Sequence, residues 1–374
     1  MAKRKSKDTS EEKIVSPQDI KAEKMARLKR VATSINKDID DENQIVHFGL
    51  EDYGRISTGI KGWDDYLGGG FPRGKIVTIA GPEQTAKGTA CARCVAEVQK
   101  NHGIACWVDA EEALDKEWLK VQGVNTDELF IIEKDTMENM LDKCLDIMRE
   151  NLVDIVVIDS IGGLLPRAEL ESKTGTNRSL NDDTIGVLQR KMSQFLRLAC
   201  GPAAKTNTTI IMIGQIYTNI GGYGDLTLVK GGNAVKHFTH VRLMTRRGSK
   251  SEAPAAIVEE DGKKKEKIIG FMHYMKINKT RQSGTMPEGA EVKYPFIFNH
   301  GFSEERFLVD QMIVDGKITK RGGYYYIGEE SVQGIIALYE FAANNDITKL
   351  ISDNTESEGG DDGTESDKEE TETS

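Results

Sequence analysis

The sequence predicts an α/β domain with a mostly parallel sheet, and three observations support this fold class. Apolar runs recur along the chain, namely KIVTIA (75–80), IACWVDAE (104–111), DIVVIDS (154–160) and TTIIMIGQ (208–215). These runs are continuously apolar rather than alternating, as expected for parallel strands that are covered on both faces. Stretches with helical periodicity separate them, for example 138–150 and 184–200. Such alternation is typical of parallel strands joined by right-handed crossovers.

The segment that precedes this domain predicts a helix and a strand. Residues 17–36 (PQDIKAEKMARLKRVATSIN) carry apolar residues near helical spacing, with lysines and arginines on the opposite side. IVHFG (45–49) predicts a short strand. Both elements have little of their own to pack against. We therefore expect residues 1–55 to form a polymerisation element that docks on a neighbouring copy of the chain.

Two further strands complete the predicted core, which spans residues 56–285. VRLMTRR (241–247) and FMHYMKIN (271–278) both have strand-like composition. The segment between them is rich in Glu and Lys and is predicted to be a charged loop. A connection of this kind allows the two strands to pair in antiparallel fashion.

The C-terminal end of the chain contains a predicted small domain and an acidic tail. Residues 286–351 are expected to form a small α/β domain, with a tyrosine-rich strand at 323–327 and a helix from about residue 331. Residues 352–374 contain ten acids and one lysine, which leaves a net charge of −1 for the other 351 residues. This composition is typical of disordered chain. The tail is either a solubilising segment or a polyanion that competes with nucleic acid for basic surface.

Composition also excludes several classes of protein. The five cysteines lie in apolar segments without even spacing, which indicates a reducing compartment rather than a disulfide scaffold. Cys91 and Cys94 form a CxxC, and without a second pair of ligands two buried thiols are favoured over a zinc or redox site. No apolar segment follows the charged start MAKRKSKDTSEEK, and no run approaches the roughly 20 apolar residues that cross a bilayer. We therefore predict a cytoplasmic protein without membrane contact.

The stretch GPEQTAKG (81–88) follows the first apolar run and partly matches a phosphate-binding loop. The pattern G-x-x-x-x-G-K-[ST] requires a glycine where this chain has Ala86 and a hydroxyl where it has Gly88. Gly81 supplies the turn after the strand, and Lys87 can reach the outer phosphates. The predicted nucleotide-binding residues of this segment are Gly81, Pro82, Glu83, Gln84, Thr85, Ala86, Lys87, Gly88 and Thr89.

Gly88 is the more serious difference from the phosphate-loop pattern, because it removes the hydroxyl that ordinarily binds Mg²⁺. Thr89 is the candidate replacement, one position late. One residue along a helix rotates a side chain by about 100°, so we expect its hydroxyl to point elsewhere. The motif alone supports two interpretations equally, namely a nucleotide site and a chance resemblance.

Polar residues at the ends of the other apolar runs favour the nucleotide site. Asp159 can hold magnesium through a water, although an N-cap after a buried strand would use the same residue type. Asp109, Glu111 and Glu112 follow a second run, and a carboxylate there can polarise an attacking water. Gln215 ends a third run, where an amide could sense a terminal phosphate. Ligands of open α/β sheets gather at these carboxyl ends of strands.

As an ordered set, five segments resemble the RecA family of homologous recombinases, most closely its bacteriophage, UvsX-like members. They are ISTGIKGWDDYLGGGFPRGKIVTIAGPE (56–83), WVDAEEALD (107–115), DIVVIDSIGGLLPRAELE (154–171), TTIIMIGQI (208–216) and VKGGNAVKHFTHVRL (229–243). The resemblance spans about residues 17–345. It implies a RecA-like phosphate-loop ATPase core that binds ATP and Mg²⁺. Phage members can lack the second loop glycine, which makes Ala86 less unusual.

The resemblance also implies roles for individual residues. Lys87 matches the phosphate-loop lysine, and Asp159 matches the magnesium-linked acid. Glu111 matches the glutamate that activates water, and Gln215 is similar to the glutamine that couples the γ-phosphate to a DNA-binding loop.

Two further positions follow from the same resemblance. Asp115 and Trp118 fall where the family contacts adenine, with the indole in place of the usual tyrosine. Core packing is the alternative for Trp118, because an indole buries a large apolar area. Lys276 and Lys279 lie near the segment with which members of the family reach the phosphates of a nucleotide on a neighbouring subunit. The sequence does not fix which of the two lysines aligns with that segment.

Two loops, 166–184 and 216–236, match the family's DNA-binding loops. In the second, Tyr223 presents a stacking face among glycines, and a helix that opens at Gly231 offers N–H groups to phosphates. An ordinary flexible surface loop is the alternative. The predicted DNA-binding residues are Arg167, Arg178, Tyr223, Lys230, Gly231, Gly232 and Asn233.

The resemblance therefore implies an ATP-dependent recombinase that forms a helical filament on single-stranded DNA and exchanges strands with a duplex in recombination and repair. It implies a DNA-dependent ATPase in the cytoplasm, or in the host cytoplasm if a phage encodes it. A single-strand binding protein and a loading mediator are the further expected partners. The alternatives are a hydrolysis-deficient, ATP-binding paralogue, a ring-shaped helicase on the same core, and a structural nucleoprotein coat.

Overall fold

A computed structural model describes residues 17–37, 54–171, 186–218, 227–229, 231–260 and 263–345. The chain divides into two compact units, Met1–Asp52 and Tyr53–Ser374. In the first unit, residues 17–36 form one helix, as the periodicity predicts. The predicted strand at 45–49 and the acidic tail at 352–374 lie outside the described residues.

The described elements are numbered in chain order. The helices are α1 (Pro17–Asn36), α2 (Lys61–Leu67), α3 (Lys87–Lys100), α4 (Lys116–Val121), α5 (Met137–Arg149), α6 (Arg167–Leu170), α7 (Val187–Thr206), α8 (Asn233–Phe238), α9 (Glu304–Val314) and α10 (Ile335–Asn344). The strands are β1 (Arg55–Ile56), β2 (Phe71–Pro72), β3 (Ile76–Gly81), β4 (Ala105–Asp109), β5 (Phe130–Glu133), β6 (Ile155–Asp159), β7 (Thr209–Thr218), β8 (Thr227–Val229), β9 (Val241–Arg247), β10 (Ala255–Glu260), β11 (Lys263–Ile268), β12 (Gly270–Thr280), β13 (Glu291–Ile297), β14 (Gly301–Phe302), β15 (Thr319–Arg321), β16 (Tyr324–Ile327) and β17 (Glu330–Gln333).

A large sheet organises the second unit. Its strand order is β14-β13-β12-β9-β3-β7-β6-β4-β5, and β8 pairs with β7. The strands from β9 to β5 in this order run parallel to their neighbours. At the other edge, β12 pairs antiparallel with both β9 and β13. The α/β fold class with a mostly parallel sheet is therefore confirmed.

Both faces of this sheet are buried, which explains the continuously apolar strands. On one face, α3 packs Cys91 and Val95 with strand residues such as Val77 in one apolar cluster. On the opposite face, α5 and α7 pack in a second cluster that includes Ile76. Successive residues of β3 thus enter different clusters, as the alternation of side chains along a strand requires.

The charged segment between β9 and β12 is a hairpin rather than a loop. Strands β10 and β11 pair antiparallel, and their register places Glu259 opposite Lys264. Opposite charges in such cross-strand positions stabilise the pairing. Most side chains of this hairpin are exposed, so it lacks the alternating apolar pattern by which strands are recognised in a sequence.

The predicted domain boundary at residue 286 is wrong. Strand β13 pairs with β12, and β14 pairs with β13, so residues up to 302 belong to the large sheet. The chain beyond them has its own small apolar cluster, built by Val309, Met312, Ile318, Tyr325, Ile327 and Leu338.

The elements of this C-terminal part differ partly from their prediction. The tyrosine-rich strand is present as β16, and it pairs with β15 and β17. The helix predicted from about residue 331 begins at Ile335 instead. Residues 330–333 extend the three-stranded sheet as β17 before the helix starts, which accounts for the difference.

Candidate nucleotide-binding site

The polar ends of the apolar runs meet at one edge of the large sheet. Strands β6 and β4 are adjacent, and their register places Asp159 next to Asp109. Strands β3 and β7 are also adjacent, with Gly81 next to Gln215. The connections that leave these strand ends therefore surround one cleft, as the parallel sheet predicts.

The segment 81–86 wraps between β3 and α3 in the manner of a phosphate loop. A Cβ atom at Gly81 would lie 2.3 Å from the Thr245 hydroxyl and 2.5 Å from its carbonyl oxygen, so only glycine fits there. Ala86 adopts φ 58°, a left-handed conformation that explains why the pattern requires glycine. An alanine in this conformation costs roughly 1–2 kcal/mol, and the loop accommodates it.

The cleft has a volume of about 330 Å³ and holds most of the predicted nucleotide-binding residues. Its lining consists of Glu83, Gln84, Thr85, Ala86, Lys87, Gly88, Thr89, Trp107, Glu111, Ala113, Leu114, Asp115, Trp118, Leu119, Asp159, Ser160, Ile213 and Gln215. The other two predicted residues, Gly81 and Pro82, are not part of the lining, and their carbonyl oxygens accept hydrogen bonds from the Lys87 ammonium.

Charge is concentrated at the end of the cleft nearest the loop. Burial, together with the negative charges of Glu111 and Asp109, raises the pKa of Asp159 to about 7. Burial lowers the pKa of Lys87, an effect that the Asp159 and Glu111 carboxylates oppose. These groups are thus close enough to interact electrostatically, and a cation beside Asp159 would favour its ionised form.

Gly88 and Thr89 face different parts of the cleft. A Cβ atom at Gly88 would lie 3.5 Å from Asp159 Oδ2, so a side chain there would point at the candidate magnesium acid. The Thr89 hydroxyl instead accepts a hydrogen bond from the Trp118 indole N–H at 3.2 Å. The expectation that this hydroxyl points elsewhere is therefore confirmed. Asp159 therefore stays the candidate metal ligand, and the Thr89 hydroxyl is bonded to the Trp118 indole in this structure.

The residues present are compatible with Mg²⁺ despite the missing hydroxyl. Magnesium commonly keeps several waters and binds through one or two carboxylates together with substrate phosphates. Asp159 supplies such a carboxylate beside a loop built to surround phosphates. In the described part of the chain, no group of three or more His, Cys, Asp or Glu could hold a metal without a substrate.

Glu111 is held at one carboxylate oxygen by two donors. The Ser160 hydroxyl and the Gln215 side-chain amide, at 3.3 Å, both donate to Oε1. The stem of Glu111 packs closely on Gly163, where an added Cβ would lie 2.7 Å from Glu111 Cγ. Sequence reasoning missed Ser160. Its signal is a hydroxyl directly after the strand-end acid.

Several of the predicted polar residues have structural partners. Asp109 accepts the backbone N–H groups of Ala113 and Leu114 at 3.2 and 3.1 Å. Asp115 is the N-cap of α4 and accepts N–H groups from Glu117 and Trp118. Both carboxylates therefore shape the segment that carries Glu111 and Trp118.

The predicted DNA-binding residues fall into three groups. Arg178, Tyr223 and Lys230 lie outside the described residues. The Arg167 guanidinium donates to the Asn139 side chain at 2.9 Å. The remaining three residues line a groove of about 510 Å³ together with two exposed arginines. Its lining consists of Gln189, Arg190, Ser193, Gln194, Arg197, Gly231, Gly232, Asn233 and Ala234.

The glycines of this groove are explained by backbone geometry, and its arginines were missed. Gly231 and Gly232 have φ of 105° and 80°, conformations that side chains rarely adopt. Arg190 and Arg197 stand seven residues apart on α7, a spacing that places both on one face of a helix. That spacing is the signal by which sequence reasoning could have found them.

Lys276 and Lys279 occupy different environments. Lys279 Nζ donates to the carbonyl oxygens of Lys236 and Thr239 at 2.6 and 2.7 Å, at the end of α8. Lys276 is exposed on β12. Within the chain, Lys279 thus connects the large sheet to the helix that follows the second predicted DNA-binding loop.

The CxxC pair consists of two buried, free thiols. Burial raises the pKa of Cys91 and Cys94 above the usual range, so both stay protonated. Both pack in an apolar cluster. This geometry matches the buried-thiol interpretation rather than a zinc or redox site.

Among the described helices, none combines the length and apolar character needed to cross a bilayer.

Comparison with known proteins agrees with this geometry. The family model of the RecA N-terminal domain matches residues 27–300. A protein named Protein RecA from Leptospira meyeri is 36% identical over 293 residues, which cover 78% of this chain and 70% of the relative. Protein RecA from Porphyromonas gingivalis is 33% identical over 343 residues, which cover 90% of this chain and 94% of the relative. The chain therefore belongs to the RecA family.

Proposed function

We propose that this protein is an ATP-dependent recombinase that assembles on single-stranded DNA and exchanges strands with a homologous duplex in recombination and repair. Its similarity to proteins named Protein RecA over most of the chain supports this function. The observation that carries it is the convergence of Lys87, Glu111 and Asp159 on one cleft at the carboxyl edge of the sheet.

Different residues of the cleft are suited to the separate tasks of ATP hydrolysis, which are phosphate binding, magnesium binding and activation of water. The loop at 81–88 and the first turn of α3 present N–H groups and the Lys87 ammonium to the phosphates. Asp159 is the residue that would hold Mg²⁺, which neutralises charge as it develops on the phosphates. Glu111 has one oxygen bound by Ser160 and Gln215, and its other oxygen is the one we assign to the attacking water.

Gln215 provides a physical connection between nucleotide and DNA. It lies on β7 and contacts Glu111 in the cleft. The chain that leaves β7 is the second predicted DNA-binding loop and leads to the groove with Arg190 and Arg197. We propose that this groove, together with Arg167, Arg178, Tyr223 and Lys230, binds DNA phosphates and bases.

The assembly is proposed to be a helical filament. The described helix α1 carries Leu28, Val31 and Ile35 with exposed side chains, which is compatible with docking on a neighbouring copy. Single-stranded and double-stranded DNA are the proposed partners, with a single-strand binding protein and a loading mediator as further ones.

Electron microscopy of the protein with ATP, Mg²⁺ and single-stranded DNA tests the assembly. Helical filaments, together with joint-molecule formation between a single strand and a homologous duplex, are the expected result. Closed rings would favour the helicase alternative. DNA affinity that is equal with and without ATP would favour a structural coat.

A second candidate is an ATP-binding recombinase that hydrolyses poorly. Gly88 favours it, because a side chain at this position would face Asp159 and none is present. Filaments that form with ATP and persist without measurable phosphate release would identify this candidate. Rapid phosphate release that depends on single-stranded DNA would exclude it.

We further propose that the chain belongs to the phage, UvsX-like branch of the family. Ala86 in place of the second loop glycine supports this placement, because phage members can lack that glycine. A phylogeny of complete family sequences tests the proposal. Grouping with cellular RecA proteins would contradict it.

A further inference from the structure

The first turn of α3 contains a buried hydroxyl that is bonded to a residue outside the phosphate loop. Thr89 is largely buried in the cleft wall, and its Oγ1 accepts a hydrogen bond from the Trp118 indole N–H. The neighbouring position, Gly88, faces Asp159 instead. The Thr89 hydroxyl therefore belongs to the part of the cleft that Trp118 lines, because one step along the helix from Gly88 rotates the side chain by about 100°.

Trp118 is held from three directions. Its backbone N–H donates to Asp115 Oδ1 at 3.1 Å. Its ring packs against Phe296, with centroids 6.4 Å apart and planes tilted by 48°. Its indole N–H donates to Thr89. The ring is half-buried and still lines the cleft, so its orientation is fixed while part of it stays open to a ligand.

We propose that Thr89 is a positioning residue that fixes the Trp118 indole as a preformed platform for the nucleotide base. The inference rests on the proposed nucleotide function and adds a residue to it. A platform that is ordered before binding loses less conformational freedom when the base stacks on it. A tyrosine has no N–H on its ring and could donate only through its hydroxyl, so this N–H contact is specific to the tryptophan of this chain.

The separation of phosphate and base contacts makes the proposal testable. Thr89→Val keeps the shape of the side chain and removes the hydroxyl, whereas Thr89→Ser keeps the hydroxyl. ATP and inorganic tripolyphosphate are the two probes, because tripolyphosphate has the phosphates and no base. Binding is followed by calorimetry. Tryptophan fluorescence is a second readout. Trp107 and Trp118 both line the cleft, but Trp63 and Trp107 are 0% and 1% exposed, whereas Trp118 is half-buried and accessible to a ligand.

The proposal predicts that Thr89→Val weakens ATP binding by about three- to tenfold, the range expected for one neutral hydrogen bond. Tripolyphosphate affinity should not change, and Thr89→Ser should resemble the unmodified protein. ATP should quench tryptophan emission less in Thr89→Val than in the unmodified protein. In a Trp118→Phe background, Thr89→Val should have no further effect on ATP affinity.

Three outcomes would overturn the proposal. Equal ATP affinity in Thr89→Val and the unmodified protein would show that the hydroxyl does not act through the indole. A parallel loss of ATP and tripolyphosphate affinity would assign Thr89 to the phosphate loop. If the unmodified protein bound neither probe, the nucleotide function itself would fail as well, which distinguishes that failure from the first two.

Discussion

The two ends of the cleft, which we propose to hold the phosphates and the base, differ in their polar groups. At the phosphate end, Gly88 leaves Asp159 without the hydroxyl that the loop pattern provides. At the base end, Trp118 adds an indole N–H that Thr89 accepts. The proposed phosphate end has no side chain at Gly88 beside Asp159, whereas the proposed base end contains a hydrogen bond between Trp118 and Thr89. Adjacent residues of one helix turn belong to these two ends, because each step along a helix rotates the side chain by about 100°.

This comparison indicates that catalysis and binding can vary separately in this cleft. Glu111, Lys87 and Asp159, the residues proposed for hydrolysis, all line the cleft, so under this proposal the site lacks one metal ligand and keeps its other groups. The proposed base contacts involve different atoms, namely the Trp118 ring on α4 and the Thr89 hydroxyl on α3. Changes at the phosphate end should therefore alter hydrolysis, and changes at the base end should alter nucleotide affinity.

The largest expected effect is at Glu111. Glu111→Gln removes the carboxylate that polarises water and should lower the rate of DNA-stimulated hydrolysis by about 10²–10⁴-fold, with ATP affinity retained. Glu112→Gln is the matched control, because Glu112 is the adjacent carboxylate and is not part of the cleft lining. Phosphate release measured at saturating ATP checks both variants. If both variants lost the same hydrolysis rate, Glu111 would not be the residue that polarises the attacking water.

The next largest effect concerns the charge of Asp159. Its pKa rises from about 4 in the unfolded chain to about 7 in the folded protein, so the folded state binds the extra proton between these values. Its contribution to stability is complete below pH 4 and is lost as the pH rises through 7. In metal-free buffer, the free energy of unfolding of the unmodified protein should fall by about 3 kcal/mol more than that of Asp159→Asn between pH 5 and pH 8.

Urea denaturation of the two proteins across this pH range measures that difference. Mg²⁺ with a bound nucleotide should reduce it, because a cation favours the ionised carboxylate. Parallel pH profiles for Asp159→Asn and the unmodified protein would show that Asp159 titrates normally.

A smaller effect is expected when the missing hydroxyl is restored. Gly88→Thr, with Thr89 retained, should raise the hydrolysis rate by about tenfold, which corresponds to about 1.4 kcal/mol from one ligand contact. Gly88→Ala adds a Cβ at an ordinary distance from Asp159 without a hydroxyl and is the control for helix propensity. A rate increase that Gly88→Ala reproduces would assign the effect to the backbone instead of the metal.

The smallest effect is expected at Ala86. This residue departs from the loop pattern because an alanine adopts a backbone conformation that favours glycine. Ala86→Gly should stabilise the protein by about 0.5–1 kcal/mol, because φ 58° strains alanine. Ala90→Gly, on α3 with ordinary helical geometry, should destabilise it by at least about 1 kcal/mol. Thermal unfolding compares the two. Destabilisation by Ala86→Gly would mean that the loop relaxes around alanine without strain.

Much of the fold and the catalytic end of the site could be predicted from the sequence. Continuous apolar runs located β3, β4, β6 and β7, and the polar residues at their ends predicted where the cleft lies. This succeeds because parallel strands place their carboxyl ends on one edge. The hairpin β10–β11 was missed because its strands are charged and exposed, so no apolar pattern identifies them.

Other features depend on contacts between residues that are far apart in the sequence, and a local sequence pattern does not reveal such contacts. The rotation of a helix predicted that Thr89 points away from the metal, but its contact with Trp118 joins residues 29 positions apart. The contact of Ser160 with Glu111 joins residues 49 positions apart. The boundary at 286 failed for the same reason, since β13 pairs with a sheet whose other strands come earlier in the chain.

The separation of the two ends is tested most directly by a magnesium titration of hydrolysis in the Thr89→Val protein. Phosphate release is measured with single-stranded DNA at saturating ATP, so that weaker base binding does not limit the rate. The magnesium midpoint and the maximal rate should equal those of the unmodified protein within about twofold, because the Thr89 hydroxyl faces an indole. A large loss of rate, or a midpoint shifted to much higher magnesium, would place this hydroxyl on the metal and contradict the account.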